Sequence, residues 1–294
     1  GRRRQYARND DCRIGLWNCW TVHLRDCYGR SGLCWSDGSV MYPFIDICSK
    51  RVPTYGVLMM LGLLAGGFVA LWRTNKRGFR WENALTIGAC AFATALFGAA
   101  VMYIAVTYSL REIVEMARTG ELWKSGVGLV FYGGLIGTVP GIWIGKKITR
   151  VRIRDYVAPM LPSLPLGHAF GRIGCLLAGC CYGRPTTWAI GVKYSRAETG
   201  VPKDIALLPV QAFESLCLIL IFVGLVCYTR KKRPARRIVA LYMLAYAPCR
   251  FFLEFLRYDT IRGLWHGLST SQWISAGLFI IGIGLWGKQS AKRV

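Results

Sequence analysis

The run LGHAFGRIGCLLAGCCYGRPT, Leu166–Thr186, sets an arginine in the middle of an apolar, glycine-rich stretch. A guanidinium near the bilayer centre costs about 2.5–3.5 kcal/mol on insertion scales, so an ionisable group at that depth marks a candidate for function. On a helix His168, Arg172 and Cys175 follow at i, i+4 and i+7, and Gly171 beside Arg172 lets a backbone or a lipid approach closely. A second cluster, Arg250, Glu254 and Arg257 in RFFLEFLRYD, repeats that spacing on another helix. The bland reading is that Arg172 snorkels from a helix end or pairs with a carboxylate only to fix packing. Two such clusters in one chain weigh against it. Guanidinium forks bind carboxylate or phosphate bidentately, and the commonest phosphate in a membrane is the lipid headgroup.

The wider composition agrees with a membrane setting. The 294 residues are 53% hydrophobic and 18% charged, too apolar for an ordinary soluble domain of this length. The formal charge of +23 would suit a nucleic-acid binder, but the basic residues sit in short loops between apolar runs, so no nucleic-acid partner is expected. Cys12, Cys19, Cys27 and Cys34 are spaced by seven, eight and seven residues and match no zinc pattern; nor does Cys175 with Cys180 and Cys181. No metal or cofactor is therefore expected.

Residues 1–40 start at Gly1 without an initiator methionine, carry seven arginines and contain no continuous apolar run. They read as an appended or disordered extension, with Met41 as the natural start and 41–294 as the membrane domain. Seven apolar runs follow, each near the roughly 20 residues a helix needs to cross hydrocarbon: Tyr55–Trp72, Leu85–Tyr108, Val127–Gly145, Tyr156–Gly179, Leu208–Tyr228, Ile238–Leu256 and Leu268–Trp286. Pro159, Pro162 and Pro165 disturb the entry to the fourth. The loops carrying Arg73 to Arg80, Lys146 to Arg154 and Arg230 to Arg237 are strongly basic and belong in the cytoplasm, whereas Ser109–Ser125 balances its charges and belongs outside. That puts the start of the domain outside and Val294 inside.

The polar residues that such spans should not contain are Tyr55, Tyr132, His168, Arg172, Gln211, Glu214, Arg250, Glu254, Arg257 and Gln272. They line one cavity only if the helices close around it. Glu214 and Glu254 are natural partners for Arg172 and Arg250, because pairing avoids a lone buried ion. The expected fold is an all-α, polytopic membrane protein of about seven helices around a central lipid-binding cavity.

These segments resemble the prolipoprotein diacylglyceryl transferases of bacterial inner membranes. MYPFIDI with PTYGVLMMLGLLAG is similar to the family's start, YGGLIG at Tyr132–Gly137 to its histidine-glycine-glycine segment, and GRIGCLLAGCCYGRPT to its Gly-Arg-x-Gly-Asn-x-x-x-Gly-Glu-x-x-Gly-Arg signature. LPVQAFE resembles its His-Pro-x-Gln-x-Tyr-Glu box and CRFFLEFLRYD its Arg-Phe-x-x-Glu-x-x-Arg segment, all in the family's order. The resemblance implies that the diacylglyceryl unit of phosphatidylglycerol moves onto the lipobox cysteine thiol of a preprolipoprotein signal peptide, releasing glycerol 1-phosphate in the first step of lipoprotein maturation. It also implies roles. Arg172 and Arg250 would hold the phosphate, Tyr55, Gly171 and Cys175 would line the site, and Gly183 with Arg184 would close the signature. Gln211, Glu214, Glu254 and Arg257 would brace them.

The sequence departs from the family pattern at Tyr132 for histidine, Cys175 for asparagine, Cys180 for glutamate and Leu208 for histidine. A tyrosine of ordinary pKa, about 10, is a poor base at neutral pH, so His168, one turn before Arg172, is the candidate substitute base, with Tyr132 as the alternative; a structural hydrogen bond from His168 to a carbonyl freed by Pro165 stays equally open. Two other readings stay open at this level. One keeps the fold with a changed donor or acceptor, and the other is a non-catalytic lipid-binding or transport protein; the halves show no inverted repeat of the transporter kind.

Overall fold

The computed structural model describes residues 42–47, 50–119, 130–194, 201–202, 205–258 and 264–287. The expectation for residues 1–40 lies outside them. The chain separates into two compact units. Among the described residues, 90–143 form one, and 42–89 with 144–287 form the other.

Helices dominate both. The long apolar runs become α1 (Thr54–Lys76), α2 (Trp81–Thr107), α7 (Val210–Tyr228) and α8 (Ala235–Phe255), with α4 (Phe131–Thr149) and α9 (Thr270–Gly287) beside them in sequence order. Among the described residues, α1, α2, α7 and α8 are long and apolar enough to cross a membrane. Leu64, Phe68, Phe97, Leu220 and Phe252 are exposed on them, which suits hydrocarbon rather than water. This is a mostly helical membrane protein.

The expected fourth span is not one helix. It divides at Leu161–Pro162 into α5 (Ile153–Met160) and α6 (Ser163–Ala178), because the prolines withdraw backbone donors and crowd the preceding turn. The acidic and basic segment after α2 forms a further helix, α3 (Leu110–Thr119), opened by a reciprocal cap. Glu112 accepts from the Ser109 backbone N–H at 2.7 Å, while Ser109 Oγ accepts from the Glu112 N–H at 3.4 Å.

Three short antiparallel pairs, too small for a periodic signal, join helix ends: β1 (Phe44–Ile47) with β2 (Lys50–Pro53), β3 (Val192–Lys193) with β4 (Ala206–Leu207), and β5 (Leu264–Trp265) with β6 (Leu268–Ser269). Pairing satisfies backbone groups that an isolated extended segment would leave bare.

In the smaller unit α2 and α4 cross on glycines. A Cβ at Gly133 would strike the carbonyl of Gly98, and one at Gly137 the carbonyl of Thr94. In the larger unit α1 packs on α6, α6 on α7, α7 on α8 and α8 on α9, with α5 wedged against α1 and α8. The α1–α6 crossing is equally close, since a Cβ at Gly62 would meet Phe170 at 2.7 Å and the Gly167 carbonyl at 2.9 Å. Two consequences follow for the polar residues. α1 and α7 begin where α6 and α8 end. At the opposite end, Arg73 donates to Thr229 Oγ1 at 2.7 Å and to the Pro159 carbonyl at 3.3 Å, tying the close of α1 to α5 and α7.

Candidate functional site

Glu214, in the second turn of α7 and 1% exposed, is the centre of a buried ionic cluster. Arg172 from α6 brings Nε to 3.1 Å from Glu214 Oε1, and Arg250 from α8 brings Nη1 to 3.9 Å from Oε2. Arg250 also meets Glu254 at 2.9 Å through Nη2, one turn along its own helix, and Arg257 Nε lies 4.0 Å from the same Glu254 oxygen. Helical spacing explains each half, and helix packing joins them. Among the described residues, the arrangement brings three guanidiniums to two carboxylates. An anion is the ligand that such a cluster favours.

His168 completes the α6 face. Its Nε2 lies 4.0 Å from Glu214 Oε1, and its ring sits 5.6 Å from that of Tyr246. Tyr246 donates from its hydroxyl to Glu214 Oε1 at 3.5 Å, so this α8 residue, one turn before Arg250, belongs to the cluster. The sequence reading missed it; an aromatic four residues before a buried arginine was the available signal.

The signature's later half is a turn and an extended segment. Gly179, at φ +77°, closes α6 with the Cys180 N–H on the Cys175 carbonyl at 3.1 Å, and Cys181 adopts φ +62° just beyond. The chain then lies between two others. Gly183 N–H donates to the Leu208 carbonyl at 3.0 Å, Arg184 N–H to the Leu256 carbonyl at 2.9 Å, and Gly183 bridges to Arg257. A Cβ at Gly183 would meet Val210 at 2.5 Å and the Leu208 carbonyl at 2.7 Å, which explains glycine there. Leu208, in place of the family's histidine, is buried in this contact against Val210 and Leu253.

Gln211 braces the turn from α7. Its Nε2 donates to the Cys180 carbonyl at 2.7 Å, and its Oε1 accepts from the Tyr194 hydroxyl at 3.3 Å. Burial pushes the Tyr194 phenol up to about 12, which keeps it a donor across the working pH range. The loop's composition offers Tyr194 only as an anchor at the membrane interface, whereas in the fold it is fully buried.

Tyr55, at the start of α1, packs beside Gly174, whose Cβ would come within 3.1 Å of the ring, and Tyr55 is in electrostatic reach of Arg172, Cys175, Cys180 and Cys181. Gly171 faces Met59 of α1: a Cβ there would lie 3.0 Å from the sulfur. The cluster thus draws in Tyr55, His168, Gly171, Arg172, Cys175, Gln211, Glu214, Arg250, Glu254 and Arg257. Arg184 is different, since only its backbone takes part and its side chain is exposed. Tyr132 begins α4 in the smaller unit, and its side chain lies outside the described residues. Gln272 also leaves the set: its Oε1 accepts from the Ser269 N–H at 2.9 Å and caps α9. A groove of about 540 Å³ between α7 and α8, lined by Leu220, Ile221, Leu225 and Leu241 among others, shares no residue with the cluster.

The sequence profile of the prolipoprotein diacylglyceryl transferase family matches residues 43–287. The chain belongs to that family. Among curated relatives, the phosphatidylglycerol–prolipoprotein diacylglyceryl transferase of Clostridium tetani is 35% identical over 239 residues, covering 81% of this chain and 93% of the relative. Transferase 2 of Clostridium perfringens is 32% identical over 242 residues, 82% of this chain and 92% of its own. The Legionella pneumophila (strain Paris) enzyme is 30% identical over 249 residues, covering 80% and 92%. For a member of the prolipoprotein diacylglyceryl transferase family, the buried arginines and carboxylates of α6, α7 and α8 are the natural place to look for chemistry on a phospholipid.

Proposed function

We infer that this chain is a phosphatidylglycerol–prolipoprotein diacylglyceryl transferase, which moves the diacylglyceryl group of phosphatidylglycerol to the lipobox cysteine thiol of prolipoproteins in the first step of lipoprotein maturation. The observation that carries the structural side of this reading is the convergence of Arg172 and Arg250 on Glu214.

The reaction forms a C–S bond and breaks the C–O bond to phosphate; the thiol proton passes to a base, and glycerol 1-phosphate leaves with the bonding electrons. The leaving group gains negative charge, so fixed guanidiniums beside its phosphate lower the barrier. Arg172 meets Glu214 through Nε, which directs its Nη nitrogens to the phosphate; Arg250 supplies the second fork, held by Glu214 and Glu254. His168 takes the thiol proton, with Glu214 beside it to stabilise the imidazolium. Tyr55, Gly171 and Cys175 line the donor site, Gly183 and Arg184 close it, and Gln211 and Arg257 brace it. The signal peptide of the prolipoprotein supplies the acceptor.

Seven spans follow on this reading: α1, α2, α4, α5 with α6, α7, α8 and α9. The basic segments after α1, α4 and α7 assign those ends to the cytoplasm, with the N-terminus of the domain outside, the C-terminus inside and the cluster toward the outer leaflet of the bacterial inner membrane.

Expression of the full chain in cells depleted of their own diacylglyceryl transferase tests the function. Restored growth and lipoprotein lipidation are expected. Failure of rescue with the protein present in the membrane refutes the assignment.

A further inference from the structure

Three sulfurs meet beside the ionic cluster. Cys175 lies in the last turn of α6, and the left-handed residues Gly179 and Cys181 fold the chain back over it, so that the Sγ atoms of Cys175, Cys180 and Cys181 all lie within 4.8 Å of one another. We propose that these three cysteines form a binding site for a thiophilic d¹⁰ metal ion of the Zn²⁺ class.

The geometry comes first. Two thiolates on tetrahedral zinc, each at about 2.3 Å from the metal, sit roughly 3.8 Å apart. The three sulfurs, all within 4.8 Å of one another, stand at most about 1 Å beyond that spacing. The turn that gathers them is held independently of any metal, by Gln211 on the Cys180 carbonyl and by the Gly183–Leu208 and Arg184–Leu256 hydrogen bonds. A non-glycine residue in the left-handed region costs on the order of 1–3 kcal/mol and persists only where its surroundings over-determine it. Cys181 is such a residue.

The surroundings favour ligation over packing. A cysteine used as a small apolar filler sits among apolar side chains. Here Cys180 and Cys181 are only half-buried, and the electrostatic neighbours are Arg172 for Cys175 and Cys181, and Arg257 for Cys181. Three thiolates around a divalent ion carry one net negative charge, which those guanidiniums complement. Soft thiolate ligands select zinc and its chemical neighbours over magnesium or calcium, and three protein ligands leave a fourth position for water or another sulfur. Such a metal would fasten the signature's turn to the helix that carries Arg172. The proposal goes beyond the transferase reading and does not depend on it.

The test uses the full chain, purified in detergent, reduced and stripped of metal. Zinc is added, excess is removed, and retained metal is counted alongside maleimide labelling mapped peptide by peptide. About one zinc per chain is expected at this site, with Cys175, Cys180 and Cys181 protected while the exposed Cys227 labels as before. The peptide map is essential because Cys12, Cys19, Cys27 and Cys34 also carry thiols. Cobalt in place of zinc should give thiolate charge-transfer absorption that weakens in Cys181→Ser. That variant should lose zinc affinity at least about tenfold, since even outer-shell partners of a metal cost 10–100-fold. Equal labelling of the three cysteines with and without zinc, or protection confined to other cysteines, overturns the proposal. The wild-type labelling needs no variant to fold, and its outcome is independent of whether the protein rescues lipidation.

Discussion

Replacing Glu214 by glutamine keeps the shape of the side chain and removes the charge that holds Arg172 at 3.1 Å and Arg250 at 3.9 Å. Glu214 is 1% exposed and Arg250 8%, so water cannot take over the lost partner. Breaking a buried ion pair by removing one member costs about 3–5 kcal/mol, because the other charge stays behind uncompensated. Each kcal/mol moves the melting midpoint by about 2–4 °C in chains of some 150–250 residues, so a fall of roughly 6–20 °C is expected. The Tyr246 hydroxyl also turns from a charged to a neutral acceptor, which adds to the loss. An anionic lipid should restore part of the midpoint, since its phosphate takes the place of the missing carboxylate between the arginines. The assay is a thermal melt of purified protein in neutral detergent, with and without phosphatidylglycerol, run beside an initial rate on the same preparation. Turnover should fall less than stability. A midpoint unchanged from wild type, together with a collapse in rate, would refute the view that Glu214 acts by holding the arginines.

Arg172→Lys keeps the charge but loses the planar fork, and most of the transfer rate should go with it; equal rates for variant and wild type on phosphatidylglycerol would remove Arg172 from the phosphate. His168→Gln should cost about 10²–10⁴ in rate and Tyr132→Phe less, measured with an acceptor peptide over a range of pH. Normal turnover by His168→Gln beside an inactive Tyr132→Phe would transfer the base role to the tyrosine. For orientation, an alkaline phosphatase fused after Arg233 should be silent and one near Gly120 active, and the reverse pattern would invert the assignment.

The ionic cluster was legible in the sequence because charge in hydrocarbon leaves few options. Arg172, Glu214, Arg250, Glu254 and Arg257 interrupt apolar runs, and groups of opposite sign at that depth end up together. Gln272 misled for the same reason: a polar residue inside an apolar run looks like a site, yet it lies at the helix start and caps it. Tyr246 stayed hidden because a tyrosine in a helix reads as packing until its neighbours are known. The meeting of three cysteines was not legible at all. It depends on two residues with positive φ, and a spacing of five and one resembles no metal motif on a regular helix. The β pairs were missed because two to four residues are too few to show a period of two.

The placement of the charges along the helices leaves a question of which force holds them. Arg172 and Arg250 lie toward the ends of α6 and α8, and Glu214 toward the start of α7, so each stands on the side that the helix dipole favours. That contribution is worth about 0.3–1 kcal/mol per charge and fades within a turn of the helix end. Arg172 and Arg250 sit more than a turn inside theirs, so the dipoles offset little of a desolvation penalty of several kcal/mol per ion. The direct pairs must therefore carry the arrangement, which among the described residues gathers Arg172, Arg250 and Arg257 around Glu214 and Glu254. On the proposed function, a phosphate entering between Arg172 and Arg250 adds negative charge to that pairing. Substrate binding and stability of the cluster are then the same interaction, which is why the melting midpoint should rise with phosphatidylglycerol and not with a zwitterionic lipid of equal chain length.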